Sequence, residues 1–300
     1  MSKAPSYRSG FASIIGRANV GKSTLLNRLV GEKVAIVSDV PQTTRHRILG
    51  VRTLPEGQIA FVDTPGFHKP QHHLGEVMLE RAREAAAEAD VLLFVIDASA
   101  GIGPGDRYVL AQIDPAQRKG PVLLVLNKLD QMNKGKLLPM IERGISSWGC
   151  REAVPVSAKE GVNCERLLER ILAHLPEGSP LFPSDYVTDQ RERMIAAEIV
   201  REKLLQRTRQ ELPHAIAVGI ERLEVRENGL LEISALIYVE RDSQKAIVIG
   251  RKGAMLKEIG SLARKELEKR FERRIFLELF VKVRQGWRDR DSLLRELGIY

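Results

Sequence analysis

Gly16-Arg17-Ala18-Asn19-Val20-Gly21-Lys22-Ser23, followed by Thr24, has the G-x-x-x-x-G-K-[ST] spacing of a phosphate-binding loop. Glycines at both ends let backbone N–H groups close around phosphate oxygens, and a helix opening there adds its positive dipole end. Lys22 is placed to reach β and γ phosphates, and the Ser23 hydroxyl is an oxygen ligand of the kind Mg2+ takes. Downstream, Asp63-Thr64-Pro65-Gly66 offers a carboxylate to hold Mg2+ through water and a Gly66 N–H to sense a γ-phosphate. Between the two lies Val40-Pro41-Gln42-Thr43-Thr44-Arg45. A threonine there would close over Mg2+ when the γ-phosphate is present, and the spacing does not choose between Thr43 and Thr44. The candidate catalytic groups are therefore Lys22, Thr43, Thr44 and Gly66, and the Mg2+ ligands Ser23, Asp63 and one of the two threonines.

Asn127-Lys128-Leu129-Asp130 selects the base. A carboxylate at Asp130 accepts hydrogen bonds from guanine N1–H and the exocyclic amine. Adenine has no such donor pair, and leaving the carboxylate unpaired would cost roughly 1–3 kcal/mol. Lys128 would lie along the base plane. Ser157-Ala158-Lys159 fits a backbone contact to guanine O6. These groups together call for GTP or GDP with Mg2+.

The elements that must carry these residues alternate. Apolar runs at Phe11–Ile15, Ile59–Val62, Val91–Ile96, Val122–Leu126 and Ala153–Val156 are separated by amphipathic stretches such as 75–89 and 162–175. That rhythm predicts an α/β domain over 8–175, a mostly parallel sheet with helices on both faces. Every motif except Val40–Arg45 follows one of the runs, where the strand ends of such a sheet place ligands. Ile48–Leu54 and the run after it read as a hairpin that adds one antiparallel strand. Residues 176–190, with Pro176, Gly178, Pro180 and Pro183, read as an interdomain linker.

Beyond it, 191–286 reads as an α+β domain in the order helix, two strands, helices, strand, with 287–300 as a tail. Asn228-Gly229 suits the tight turn of a hairpin between the strands. Ile249-Gly250-Arg251-Lys252-Gly253 then contains G-x-x-G between two helical segments, the order of a type II KH domain, whose loop clamps about four nucleotides of a single strand. The window Arg251–Arg290 carries 13 Lys/Arg against 6 Asp/Glu, so nearly all of the net +8 sits there, an excess that suits a polyanion partner and that a solvated face would equally carry. Val248 and Met255 fit either base contact or core, and Trp287 either stacks on a base or belongs to a packed C-terminal segment.

Other classes are disfavoured. Met1–Gly10 lacks the pattern of a secretory signal, and Val91–Ile96 and Pro121–Leu126 are far too short to span a bilayer. Cys150 and Cys164 have neither metal-ligand nor redox spacing, as expected of reduced thiols in the cytoplasm. His68, His72 and His73 read as exposed residues of a mobile loop rather than a metal site.

With its five nucleotide motifs in this order, the first half resembles the translation-factor-like P-loop GTPases. Thr43-Thr44-Arg45 and the KH-like second half narrow the resemblance to the Era family, over nearly the whole chain. The resemblance implies binding near the 3′ end of small-subunit ribosomal RNA, a role in assembly of the small ribosomal subunit, a monomer, and peripheral contact with the inner membrane in some members. It also implies slow hydrolysis, because Phe67 follows the Asp-x-x-Gly element where many GTPases carry a water-orienting glutamine. Relatives commonly have proline at the position of Ala18. Those with asparagine at the position of Asn19 often coordinate K+ there; the alternative is that Asn19 braces the loop. If the K+ reading is right, GTP turnover will be faster in KCl than in NaCl at matched ionic strength, and equal rates would remove K+ from the site.

Overall fold

In the computed structural model of the chain, residues 6–40, 43–67, 70, 72–113, 118, 120–208 and 212–299 are described, with Lys134, Pro213 and His214 described by backbone only. The chain forms two compact units, one made mainly of residues up to Asp189 and the other mainly of residues from Gln190 onward.

The first unit runs β1 (Arg8–Ile15), α1 (Lys22–Val30), β2 (Ile48–Leu54), β3 (Gly57–Asp63), α2 (His73–Glu88), β4 (Val91–Asp97), α3 (Pro104–Ile113), β5 (Val122–Asn127), α4 (Leu137–Trp148), β6 (Glu152–Pro155) and α5 (Cys164–His174). Its sheet has the order β2-β3-β1-β4-β5-β6. β2 is antiparallel to β3, Ile48 opposite Asp63, and every other pairing is parallel. The uninterrupted apolar runs follow from burial on both faces. Leu93 and Val95 of β4 pack with Leu25 and Leu29 of α1 and Leu167 and Ile171 of α5. Leu92, Phe94 and Ile96 of the same strand pack the other way, with Leu79 and Ala82 of α2, Val109 of α3 and Met140 of α4.

The stretch expected as a linker is not a free tether. Val51 N–H donates to the Val187 carbonyl at 2.8 Å, and the Thr188 hydroxyl to the Leu49 carbonyl at 2.7 Å. Gln58 is fully buried in β3, and its amide accepts from Leu181 and Phe182 N–H and donates to the Phe182 carbonyl. A buried amide must be satisfied, and this segment satisfies it. Phe182 and Tyr186 stack with centroids 5.0 Å apart beside Leu49, Val51 and Ala60. The prolines shape a strap along the sheet.

The second unit runs α6 (Glu192–Arg207), α7 (Leu212–Ala215), β7 (Ala217–Val225), β8 (Leu231–Val239), α8 (Asp242–Ile249), α9 (Ala254–Phe271), β9 (Ile275–Val283) and α10 (Asp291–Glu296). β8 is central, antiparallel to β7 and parallel to β9. Ile199 and Leu204 of α6, Val248 of α8, and Ile259, Ala263 and Leu267 of α9 cover one face, over Ile233, Ala235 and Ile237. Val248 is therefore core. The hairpin turn is wider than the two-residue form: only Gly229 of the Asn-Gly pair has positive φ, 76°, and Arg226 N–H donates to the Leu230 carbonyl.

Trp287 is completely buried, and its indole N–H donates to the Ala215 carbonyl at 2.9 Å, so the ring is unavailable to a base. Leu293, Leu294 and Ile299 are buried as well, which makes the tail part of this unit's packing. No helix among the described residues is long and apolar enough to cross a membrane. Trp287→Ala is expected to lower stability by about 3–5 kcal/mol, through the cavity and the orphaned Ala215 carbonyl, read as a reduced urea midpoint of the full chain.

Candidate functional site

The nucleotide motifs converge where β1, β3, β5 and β6 end. Gly21 has φ 91°, and a side chain on it would collide with the Asn127 amide; one on Gly16 would run into the Val95 carbonyl. The loop thus closes only with glycine at both ends. Asn127 is buried at its base, donating to the Val20 carbonyl at 2.8 Å and accepting from Ala158 N–H at 3.0 Å. One amide therefore joins the phosphate loop to the 157–159 loop.

Lys22 is buried, with its ammonium 3.2 Å from the Arg17 carbonyl. Asp63 is fully buried as well. The Ser23 hydroxyl donates to Asp63 Oδ2 at 2.9 Å and lies 2.8 Å from Thr44 Oγ1, which is 3.2 Å from the same Oδ2. Of the adjacent threonines, Thr44 is the one whose hydroxyl completes this cluster. Asp63 Oδ1 is buried without a hydrogen-bond partner among the described residues. Burial pushes the Lys22 ammonium down and the Asp63 carboxyl up, and each charge partly offsets the other's shift. An orphaned carboxylate oxygen beside two hydroxyls is a donor set that fits Mg2+.

Other residues of the motifs are structural in this arrangement. The Thr64 hydroxyl donates to the Ile14 carbonyl at 3.0 Å, Val20 is core, and Arg17 points to Asp106. Gly66 packs close to Ala18 N and Lys22 Nζ, both 3.2 Å from where its side chain would start. Phe67 N–H donates to the Gly16 carbonyl at 3.2 Å, and the phenyl ring is buried among Ile15, Leu79 and Ala82. Pro41, Gln42 and His68 lie outside the described residues, among which no group of His, Cys, Asp and Glu gathers for a metal ion.

On the base side, the Ser157 hydroxyl donates to Asp130 Oδ1 at 2.6 Å and holds that exposed carboxylate below its usual range. Lys128 stands in the left-handed region at φ 63°, which costs a non-glycine residue energy. Its ammonium is held by the Asn19 carbonyl at 2.9 Å and Asp97 Oδ2 at 2.7 Å. Burial raises the Asp97 carboxyl, but hydrogen bonds from Lys128 and Ser99 outweigh it and keep it ionised. Asp97 was missed in the sequence; its only signal is its place at the end of the Val91–Ile96 run. Asn19 is also at φ 63°, a conformation asparagine tolerates well, which gives it a backbone role whatever it binds.

In the second unit Gly250 has φ 73°, and a side chain there would strike Met255 at 2.6 Å. Arg251 and Lys252 are exposed, Lys252 at φ 51°, and Gly253 faces open space. Ile249 is half-buried. The loop opens into a groove of about 560 Å³ between α9 and β9. Lys257, Gly260, Ser261 and Arg264 form one wall, and Phe276, Leu277 and Leu279 the other. Small and basic residues on one helix against an apolar strand edge suit a single strand of nucleic acid. Those wall residues were also missed, because the alternation of β9 says which side chains face the helices but not which strand edge is left open.

This fold and site define a P-loop GTPase domain followed by a KH domain. Residues 11–128 match a family described as 50S ribosome-binding GTPase, and residues 211–288 match the KH domain family. The chain is 49% identical to GTPase Era of Heliobacterium modesticaldum, covering 97% of both chains. It is 45% identical to Aquifex aeolicus Era, solved as a tyrosine-to-alanine variant bound to GDP·AlF4−, with TM-score 0.92 over 97% of this chain and 99% of that one. It is likewise 45% identical to an Era solved with MgGDPNP and nucleotides 1506–1542 of 16S ribosomal RNA, with TM-score 0.93 over 98% and 99%. The chain belongs to the Era family of GTPases.

The Thr44 geometry predicts unequal alanine variants. Thr44→Ala should raise the Mg2+ concentration for half-maximal GTP turnover about tenfold, from loss of one charged-group contact, while Thr43→Ala shifts it little. A Mg2+ titration of both variants checks this.

Proposed function

We propose that this protein is a switch that binds GTP with Mg2+, hydrolyses it slowly to GDP and phosphate, and holds the 3′ region of small-subunit ribosomal RNA during assembly of the small ribosomal subunit. The observation that carries the nucleotide half is the cluster of half-buried Ser23 with buried Thr44 and Asp63, near buried Lys22, with one Asp63 oxygen unsatisfied among the described residues.

Gly16 to Thr24 surround the phosphates, and the Lys22 ammonium meets the β and γ oxygens. Ser23 and Thr44, with Asp63 through water, hold Mg2+, which when bound draws charge from those oxygens. The Gly66 N–H, set by Thr64 and Pro65, reads the γ-phosphate, so the Thr44 and Gly66 segments relax once it leaves. Asp130 accepts guanine N1–H and the 2-amine, Lys128 flanks the base, and backbone of Ser157, Ala158 and Lys159 meets O6. The Phe67 side chain has no hydrogen-bonding group and is also buried, so it cannot orient the attacking water, which accounts for slow turnover. Asn19 either coordinates K+, which would supply positive charge where an arginine finger would act, or braces the loop through its left-handed backbone.

Ile249, Gly250, Arg251, Lys252 and Gly253 clamp the RNA backbone and lead its bases into the groove between α9 and β9. The description of the family matching residues 11–128 mentions the large subunit. We assign the small subunit because the relative matched over nearly the whole chain, KH domain included, was solved with 16S ribosomal RNA. The protein would work as a monomer in the cytoplasm, where GTP and nascent subunits are.

The test is GTP turnover in potassium buffer with and without an RNA matching the small-subunit 3′ end. Several-fold stimulation is expected in the natural chain and none in the variant with both Arg251 and Lys252 changed to Asp, which should still bind GDP. Tight binding of both ligands without stimulation would instead make the protein a nucleotide-stabilised RNA-binding module with incidental turnover.

A further inference from the structure

Arg17, inside the phosphate loop, sends its guanidinium to a carboxylate that no sequence motif contains. Arg17 Nε lies 3.2 Å from Asp106 Oδ1 at the start of α3, and the Asp106 side chain is completely buried. Asp106 Oδ2 accepts the Gly103 N–H at 2.8 Å, which fixes the carboxylate on the turn leading into the helix. The Arg17 stem lies against Gly105, where a side chain would begin 3.2 Å from Arg17 Cδ. The backbone carbonyl of the same Arg17 accepts the Lys22 ammonium. A chain of contacts therefore runs from α3 through Arg17 to the lysine beside Asp63.

We propose that Asp106 is a positioning residue for the phosphate site: through Arg17 it sets the path of the loop backbone and so the place of the Lys22 ammonium. The inference rests on the nucleotide reading above. The physical reason is the cost of moving either partner. A buried carboxylate 3.2 Å from an arginine nitrogen is held by Coulomb attraction rather than by an aligned hydrogen bond, Asp106 Oδ1 having no hydrogen-bond partner among the described residues, and removing one partner leaves the other charge uncompensated. The Asp106 carboxylate offsets part of the Arg17 charge, which still acts on the Lys22 ammonium and opposes its protonation.

The test compares GDP with guanosine, which carries the base and sugar but no phosphate, on the full chain. Asp106→Asn keeps the shape and an acceptor for Gly103 N–H but removes the charge. Arg17→Gln, at a partly exposed position, carries the test if the first variant does not fold. Each single variant is expected to weaken GDP binding about tenfold and change guanosine binding less than about twofold, and the double variant to be no worse than the weaker single. Unchanged GDP affinity, equal losses for GDP and guanosine, or additive losses would overturn the proposal and leave Asp106 as a brace of α3 alone. If the natural chain held GDP no more tightly than guanosine, the phosphate-site reading itself would fall, and this proposal with it.

Discussion

The nucleotide site depends on one buried amide. Asn127 ends β5 with almost no exposure, and its two polar atoms are spent on backbone of two different loops, the Val20 carbonyl and the Ala158 N–H. An amide in that position cannot drift without leaving its own two polar atoms, the Val20 carbonyl and the Ala158 N–H unpaired, each buried group so left costing about 1–3 kcal/mol. It therefore holds the phosphate loop and the base loop at a set separation before any nucleotide arrives. The glycine at position 21 exists for the same contact, since any side chain there would displace the amide.

Around that anchor the site stores unfavourable electrostatics. Lys22 and Asp63 are both buried, and desolvation opposes the charge of each. Asp63 has an oxygen with no partner among the described residues, and Lys128 holds a left-handed backbone conformation. Such features are tolerated because the surrounding sheet is packed on both faces, and they pre-position charge for phosphate and cation. A bound nucleotide with its metal would relieve them, so ligand should stabilise the fold through linkage. Phe67 makes the contrasting point: its position is absorbed into the hydrophobic core.

The second unit uses a simpler logic. One face of a three-stranded sheet is covered by α6, α8 and α9, and the turn into α9 needs glycine at 250 because Met255 lies against it. That tight turn presents Arg251 and Lys252 outward and leaves the groove between α9 and β9 open. Burying Trp287 and Leu294 closes the far end of the unit and removes the aromatic ring that looked most available for stacking.

Local spacing was enough to bring the motifs to light, because a phosphate loop is made of consecutive backbone and the carboxylate proposed to read guanine needs only its strand end. The apolar runs were enough for a parallel sheet, since strands buried on both faces cannot alternate, and for the hairpin between β2 and β3. What the tertiary structure decided are contacts between segments far apart in the chain. The Thr44 hydroxyl came to lie against Ser23 and Asp63; Asp97 and Asp106 acquired partners in Lys128 and Arg17; residues 181–188 became a strap that satisfies buried Gln58 and pairs with β2. Each of these follows from which strand or helix lies beside which, and a polar residue's partner is fixed by that adjacency rather than by its neighbours in sequence.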